Sequence, residues 1–398
     1  MEPRAGKRAS KQRVLIAGGS VAGIEMALAL RELAGDRIEI EIRDPREEFV
    51  YKPFSVGAPF GAARISRYSL PDLAERCGAS FELDSIASVD GEQRRALTHD
   101  GEEVPYDYLV VACGARLLPG VPGACTFWGV GDEGGIAKVV RQLRANELRA
   151  LVFTMPGGCT WGLPLYELAL FAAAQMARSD LHDTRLTIVT PEDGPLQLFG
   201  TRAGKQMEEL LAERGVELVT GAHPVKCEAG CLHIAPGGEI EADAVVSLPR
   251  MEGRRIAGVP HDSDGFIAVD EHCRVRGMER VFAAGDVTAF PVKQGGIATQ
   301  EADAAAAMLA SEIGCEVEPR PFDPVLRGVL WTGEAPRYLY GRLAGGHGET
   351  STLSEEPPWP AQEGKILGRY LTPFLAAASE IESNGDRGKP ARPAQEVS

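Results

Sequence analysis

Cysteine is scarce in this chain, with eight in 398 residues. That is too few for a disulfide framework, so the thiols are expected to stay reduced inside a cell. Long apolar runs are missing as well. The stretch Leu168–Ala174 falls far short of the ~20 residues that a membrane-spanning helix needs. The N-terminal MEPRAGKRASKQR has no apolar segment of the kind that directs export. Positive charge is in deficit: 42 Lys and Arg face 57 Asp and Glu, a net charge of -15. An acidic surface repels phosphate backbones, so nucleic acid is excluded as the expected partner. The location these absences imply is cytoplasmic. What remains is ordinary globular chemistry, with 44% hydrophobic residues, 25% charged residues and 46 glycines. At roughly 150 residues per domain, the length suits two or three domains.

The apolar runs fall into an order. Val14–Ala17 ends in Gly18-Gly19, and Val21, Ile24, Met26, Ala27, Leu30 and Leu33 follow at helical spacing. Ile38–Ile42 alternates and reads as a second strand, completing a strand–turn–helix–strand unit. Tyr108–Ala112 is a further buried strand. A second unit starts at Leu151–Thr154, with a helix over Pro164–Arg178 and a strand at Leu186–Val189. A helix over Lys205–Arg214 and a strand at Glu217–Thr220 follow. Val281–Ala284 is again a strand, before an Ala-rich helix over Ala298–Ile313. The tails, 1–12 and 380–398, are polar and are expected to be disordered.

Gly18-Gly19-Ser20-Val21-Ala22-Gly23 lies between a strand and a helix. A dinucleotide pyrophosphate needs a tight turn, close backbone approach and a helix N-terminus aimed at it. Gly18 supplies the turn and Gly23 the close helix–strand packing, while Ser20 replaces the usual middle glycine. Asp44, at the end of the second strand, suits a carboxylate that accepts ribose hydroxyl protons. Two more strand ends carry turns: Tyr108-Leu-Val-Val-Ala112-Cys113-Gly114-Ala115, and Val281-Phe-Ala-Ala-Gly285-Asp286.

In this order and spacing the three motifs resemble the FAD-dependent pyridine nucleotide–disulfide oxidoreductase superfamily, over roughly residues 13–345. The resemblance implies an α/β fold with two Rossmann-like FAD/NAD(P)-binding domains and a small C-terminal interface domain. The FAD-binding domain would comprise 13–118 and 250–318, the NAD(P)-like domain 119–249 and the interface domain 319–378. It implies FAD as cofactor, with Gly18 to Gly23 at the pyrophosphate and Gly285 and Asp286 at the ribityl chain. Ala112, Cys113 and Gly114 would mark the crossing between domains, with Cys113 in place of the usual Thr. Tyr51-Lys52-Pro53 would pack near the isoalloxazine. The helix after Lys293 would point its N-terminus at that ring, with Lys293 adding a full positive charge.

The second turn, Gly157-Gly158-Cys159-Thr160-Trp161-Gly162, breaks the Gly-x-Gly-x-x-Gly spacing and sets a bulky Trp161 where a pyrophosphate would approach. This argues against NAD(P)H as donor. The turn is similar to that of sulfide:quinone reductases, as are Tyr166-Glu167 and Val189-Thr-Pro-Glu192. The resemblance implies Cys159 as a nucleophile with an acidified thiol, Cys125 as its partner, and electrons passing from a small reduced donor through FAD to an acceptor such as a quinone. The C-terminal cysteine of that branch is missing: Leu326–Trp331 has none. A nicotinamide-dependent reductase, like type II NADH dehydrogenases or ferredoxin reductases, is the alternative. A flavin-binding redox sensor without turnover is another. Cys227-x-x-x-Cys231-x-His233 lacks an evident fourth ligand, so no metal site is expected. The segment 365–375, with Ile366, Leu367, Tyr370, Leu371, Phe374 and Leu375 at helical spacing, offers peripheral contact with the inner face of a membrane. Docking on the chain's own core, or on a second copy in a homodimer, is the other reading.

Overall fold

The structure, a computed structural model, describes residues 11–131, 134–159, 161–344, 347–348, 351–360 and 364–386. Two five-stranded parallel sheets organise it. In the first, the strand order is Val281–Ala283, Tyr108–Val111, Gln12–Ala17, Ile38–Arg43 and Ser80–Glu82. The central strands are buried on both faces, as parallel strands covered by helices must be, which is why Val14–Ala17 and Tyr108–Val111 read as unbroken apolar runs. The second sheet runs Cys125–Thr126, Ala244–Ser247, Ala150–Thr154, Arg185–Val189 and Val216–Val219. The chain leaves the first sheet along Ala115–Leu118 and returns along Arg250–Gly253, and these two strands pair antiparallel.

On one face of the first sheet the helices Val21–Ala34 and Gly295–Glu312 pack against each other. Alanines dominate the buried side of the second helix and permit that close approach. The C-terminal strands Val325–Leu330 and Arg337–Ala344 pair antiparallel. They are pinned to the helix start by side-chain amides. Gln294 Nε2 donates to the Arg327 carbonyl (2.9 Å), and Gln300 exchanges hydrogen bonds with the Val325 backbone (2.9 and 3.0 Å).

Both expected tails need correction. Gln12 is already laddered to Ile38, so the first strand begins inside the stretch taken as tail; residues 1–10 lie outside the described residues. At the other end a helix runs Leu371–Asp386, past the expected boundary at 380, and 387–398 lie outside the described residues. Helix propagation costs little once a first turn is fixed. Here that turn is fixed by the Glu25 carboxylate, which accepts the N–H groups of Tyr370 (3.0 Å) and Leu371 (2.6 Å). The helical spacing read over 365–375 is realised only from Leu371 onward. Pro373 sits in the first turn, where its missing N–H is harmless. Ile366, Leu367, Leu371 and Leu375 are buried in the chain's own core. Among the described residues no helix is long and apolar enough to cross a membrane.

Candidate functional site

Three strand ends meet at the C-terminal edge of the first sheet, where ligands of such sheets bind. The Gly18 N–H bonds the Arg43 carbonyl (2.8 Å), the Ala112 N–H bonds that of Ala17 (2.8 Å), and the Ala284 N–H bonds that of Val111 (3.1 Å). These bonds bring the glycine turn, Ala112-Cys113-Gly114 and Gly285-Asp286 side by side. Gly18 has φ +117°, and a Cβ there would lie 2.4 Å from the Ala112 carbonyl oxygen. A Cβ on Gly23 would lie 1.9 Å from the Gly18 carbonyl oxygen. Only glycine permits this turn to be so close to both the neighbouring strand and its own helix. Ser20 caps the helix with extended backbone and makes no side-chain cap bond, so Val21 and Ala22 open the helix directly behind it.

Asp44 is buried beside this turn. One of its oxygens accepts the Gly19 N–H (3.0 Å), and the other accepts the N–H and Nε–H of Arg46 (both 3.0 Å). Asp286 faces Lys293 and Lys52. Burial pushes its carboxyl up, and the two ammonium groups pull it back down. Lys52 is held below the usual lysine range by burial, with repulsion from Arg46 and Arg254 adding to it. Arg254 also acts on Cys113, whose thiol burial pushes up to about 11. A glycine cradle, a buried acid beside it and clustered cations that repel one another make the kind of donor set that an anionic dinucleotide needs. The residues present therefore fit FAD.

A cavity of about 760 Å³ opens between the two sheets, lined by Lys52, Trp128, Cys159, Glu167, Lys293 and Lys365 among others. Lys293 donates to the Thr288 carbonyl, and its ammonium lies 3.9 Å from the centroid of the Phe266 ring. The helix start at Gly295 also lines the cavity, with Gln294 as its cap. Deeper in, Glu167 (1% exposed) accepts from Lys365 Nζ and from the Trp331 N–H (2.8 Å). The Lys365 ammonium stands 5.1 Å from the Trp331 ring centroid. The Tyr51 hydroxyl accepts the N–H groups of Lys365 and Ile366 (both 2.8 Å), which fixes the segment that carries the lysine.

The cysteines depart from expectation. Cys159 lines the cavity, but Cys125 lies on the edge strand paired with Val246 and is not among the lining residues. The two are therefore not brought to one cavity. Nor is the Cys159 thiol acidified: burial pushes it up to about 11, and the Glu192 charge adds to this. A helix N-terminus would lower it, but the next helix begins only at Leu163. Cys227 and Cys231 flank a hairpin tip, where His233 pairs with Glu239 (3.2 Å). Among the described residues no group of three or more potential metal ligands converges.

The second turn lines the cavity and carries a bulky side chain. Trp161 packs on Phe199 (5.9 Å between ring centroids). Glu192, near the end of the strand where a ribose-binding acid would stand, is half-buried and already hydrogen-bonded. It accepts from the Tyr166 hydroxyl, from Thr190 Oγ1 (3.1 Å) and from the Gln197 N–H (3.0 Å). Arg46, Glu301 and Lys365 were not singled out in the sequence. Arg46 had a signal, standing two residues after Asp44. Glu301 had a weaker one, as an acid inside an Ala-rich helix. Lys365 had none, because its partner is 198 residues away.

Comparison with known proteins agrees with this geometry. The family model described as pyridine nucleotide-disulphide oxidoreductase matches residues 12–308. An NADH dehydrogenase-like protein of Mycobacterium tuberculosis is 26% identical over 294 residues, covering 70% of this chain and 73% of its own. The sulfide-quinone reductase of Aquifex aeolicus is 24% identical over 307 residues, covering 70% and 69%. Among solved structures, the sulfide:quinone oxidoreductase of Aquifex aeolicus superposes with a TM-score of 0.78 at 21% identity, over 93% of this chain and 90% of that one. NDH2 of Plasmodium falciparum gives 0.67 at 12% identity, over 94% of each. The chain belongs to the pyridine nucleotide-disulphide oxidoreductase family and is a flavin-dependent oxidoreductase.

Proposed function

We propose that this protein passes two electrons from a small reduced donor through FAD to an acceptor of the quinone class, in the manner that its sulfide:quinone relatives' names describe. The observation that carries the reading is the cavity. It is lined by one cysteine, Cys159, and by the buried Glu167–Lys365 pair. At the neighbouring turn, where a nicotinamide dinucleotide would lie, the bulky Trp161 packs on Phe199 and breaks the glycine spacing that a pyrophosphate needs. FAD, when bound, supplies the electron-carrying chemistry, and the protein supplies binding, orientation and charge.

The chain's own part divides along the cavity. Asp44 and the glycine turn hold the ribose and pyrophosphate, with Arg46, Lys52 and Arg254 offsetting the phosphate charge. Asp286 holds the ribityl hydroxyls. Lys293 would set its amine beside the ring, where burial pulls its pKa down and the Asp286 and Glu301 charges oppose that. A quinone takes up two protons with its two electrons, and Lys365, held by Glu167, lines the cavity where they would be delivered. Cys159, as a protonated thiol, marks the donor side. Because Leu326–Trp331 carries no cysteine, a two-thiol relay of the usual form is not part of this reading. Quinones reside in lipid, so the half-exposed Trp128 at the cavity wall is the natural point of contact with a membrane surface.

Anaerobic titration of the holoprotein, following the flavin absorbance band, tests this. Bleaching by sulfide or another small sulfur donor, with reoxidation by a short-chain quinone, is expected. Rapid bleaching by NADH or NADPH would overturn the donor assignment. It would favour the second reading, a nicotinamide-dependent reductase, which the mycobacterial NADH dehydrogenase-like relative supports.

A further inference from the structure

Glu301 has no place in the scheme above, yet it is 1% exposed and lies directly behind the cofactor-facing turn. It projects from the Gly295–Glu312 helix. Its Oε2 accepts the Gly285 N–H (2.6 Å) and its Oε1 accepts the Thr288 hydroxyl (2.8 Å). In its ionised form the group accepts at both oxygens and grips the turn at two points. Gly285 is wedged between the two helices: a Cβ there would lie 3.1 Å from Ala22 Cβ and 3.4 Å from Ala298 Cβ. The turn therefore has little freedom except through Glu301.

We propose that Glu301 is a positioning residue that holds the Gly285–Thr288 turn against the flavin and takes up one solvent proton when that flavin is reduced. The inference rests on the reading that Gly285 and Asp286 hold FAD. Two electrons enter from the donor, or from dithionite in a titration. One proton from water then bonds to the Glu301 carboxylate, so charge added on one side of the turn is offset on the other. Thr288 joins the group to the cavity wall: Lys293, which lines the cavity, donates to its carbonyl, and its hydroxyl meets Glu301.

The surroundings poise the group. Burial raises its carboxyl to about 7, Asp286 adds to the rise, and the Gly285 and Thr288 donors and Lys293 oppose it. Cys273 faces it from the neighbouring loop, where its thiol is pushed up by burial and by the Glu301 charge. From the Val21–Ala34 helix it is Ala22 that meets the turn.

The test is the flavin midpoint potential of the holoprotein, measured from below to above pH ~7. Above that point reduction should bind one extra proton per two electrons. The wild-type curve should then steepen by about 30 mV per pH unit, the value of a tenfold change in equilibrium constant for a two-electron couple. In Glu301→Gln this bend should vanish. In Thr288→Val, which keeps the acid but removes a donor to it, the bend should move to higher pH. If Glu301→Gln does not retain flavin, Thr288→Val decides alone. A bend that survives in Glu301→Gln, or that stays in place in Thr288→Val, overturns the proposal. A wild-type protein that binds no FAD would sink the cofactor reading with it, whereas flavin bound and a bend unmoved would sink this proposal only.

Discussion

Replacing Lys365 with methionine removes the ammonium that faces Glu167 and keeps an unbranched stem against Trp331. Glu167 is then a fully buried acid with a single donor, the Trp331 N–H. Breaking such a pair costs roughly 3–5 kcal/mol if the stranded charge persists. The acid has a cheaper escape, which is to take a proton. Starting from its ordinary value of 4.5, being held neutral at pH 7 costs at most about 3.4 kcal/mol, at 1.36 kcal/mol per pH unit. At pH 5 the same ceiling is about 0.7 kcal/mol. The sign follows from linkage: in the variant the folded form binds the proton that the unfolded form has lost, so stability falls as pH rises above 4.5. If the 398 residues melt as one unit, the unfolding entropy is about 0.8 kcal/mol/K. The Tm of the variant holoprotein should therefore fall by up to about 4 °C at pH 7 but by less than about 1 °C at pH 5, each against wild type at the same pH. Equal losses at the two pH values would refute the argument, because they would mean lost packing rather than a stranded charge.

Three further outcomes are expected. Asp286→Ala should leave Lys52 and Lys293 without the carboxylate they face, and the purified protein should carry much less FAD; a fully yellow variant would remove Asp286 from the site. Because burial pushes the Cys159 thiol up to about 11, its alkylation by iodoacetamide, followed by peptide mass spectrometry, should be slow at neutral pH and accelerate towards that value. A fast reaction at pH 7 would show an acidified thiol instead. Gly18→Ala should cost FAD binding and several kcal/mol of stability, since its Cβ would meet the Ala112 carbonyl oxygen at 2.4 Å with φ at +117°; a variant that melts and binds flavin like wild type would contradict the steric argument.

The sequence carried the parts that depend on neighbours along the chain. The glycine turn, Asp44 and the Gly285-Asp286 end were legible because each is set by a strand that stops and a helix or turn that must follow. The Ala-rich helix was legible, with its start three residues earlier than periodicity gave, because Gly295 to Ile297 have no apolar period of their own. The buried pairs were not legible. Glu25 meets Leu371 across 346 positions, and Glu167 meets Lys365 across 198. A local pattern cannot show a carboxylate which distant element will satisfy it. The cysteines failed for a related reason. Thiol acidity depends on burial and nearby charge, and neither is written in the spacing of Cys125 and Cys159.

The clamp between Glu25 and residues 370–371 also sets a timetable. The second sheet draws its strands from one continuous stretch, 125–247, whereas the first needs Val281–Ala283 to complete it and the C-terminal helix to close over its leading helix. On a ribosome adding roughly 5–20 residues per second, the turn at Gly18 emerges long before either. The nascent chain thus finishes the inserted module while the enclosing one stands ajar, with its glycine cradle formed but its far wall not yet made. Residues 370–371, made after the strands of both sheets, act as a closing latch, and the yellow cofactor has the interval before they arrive in which to enter.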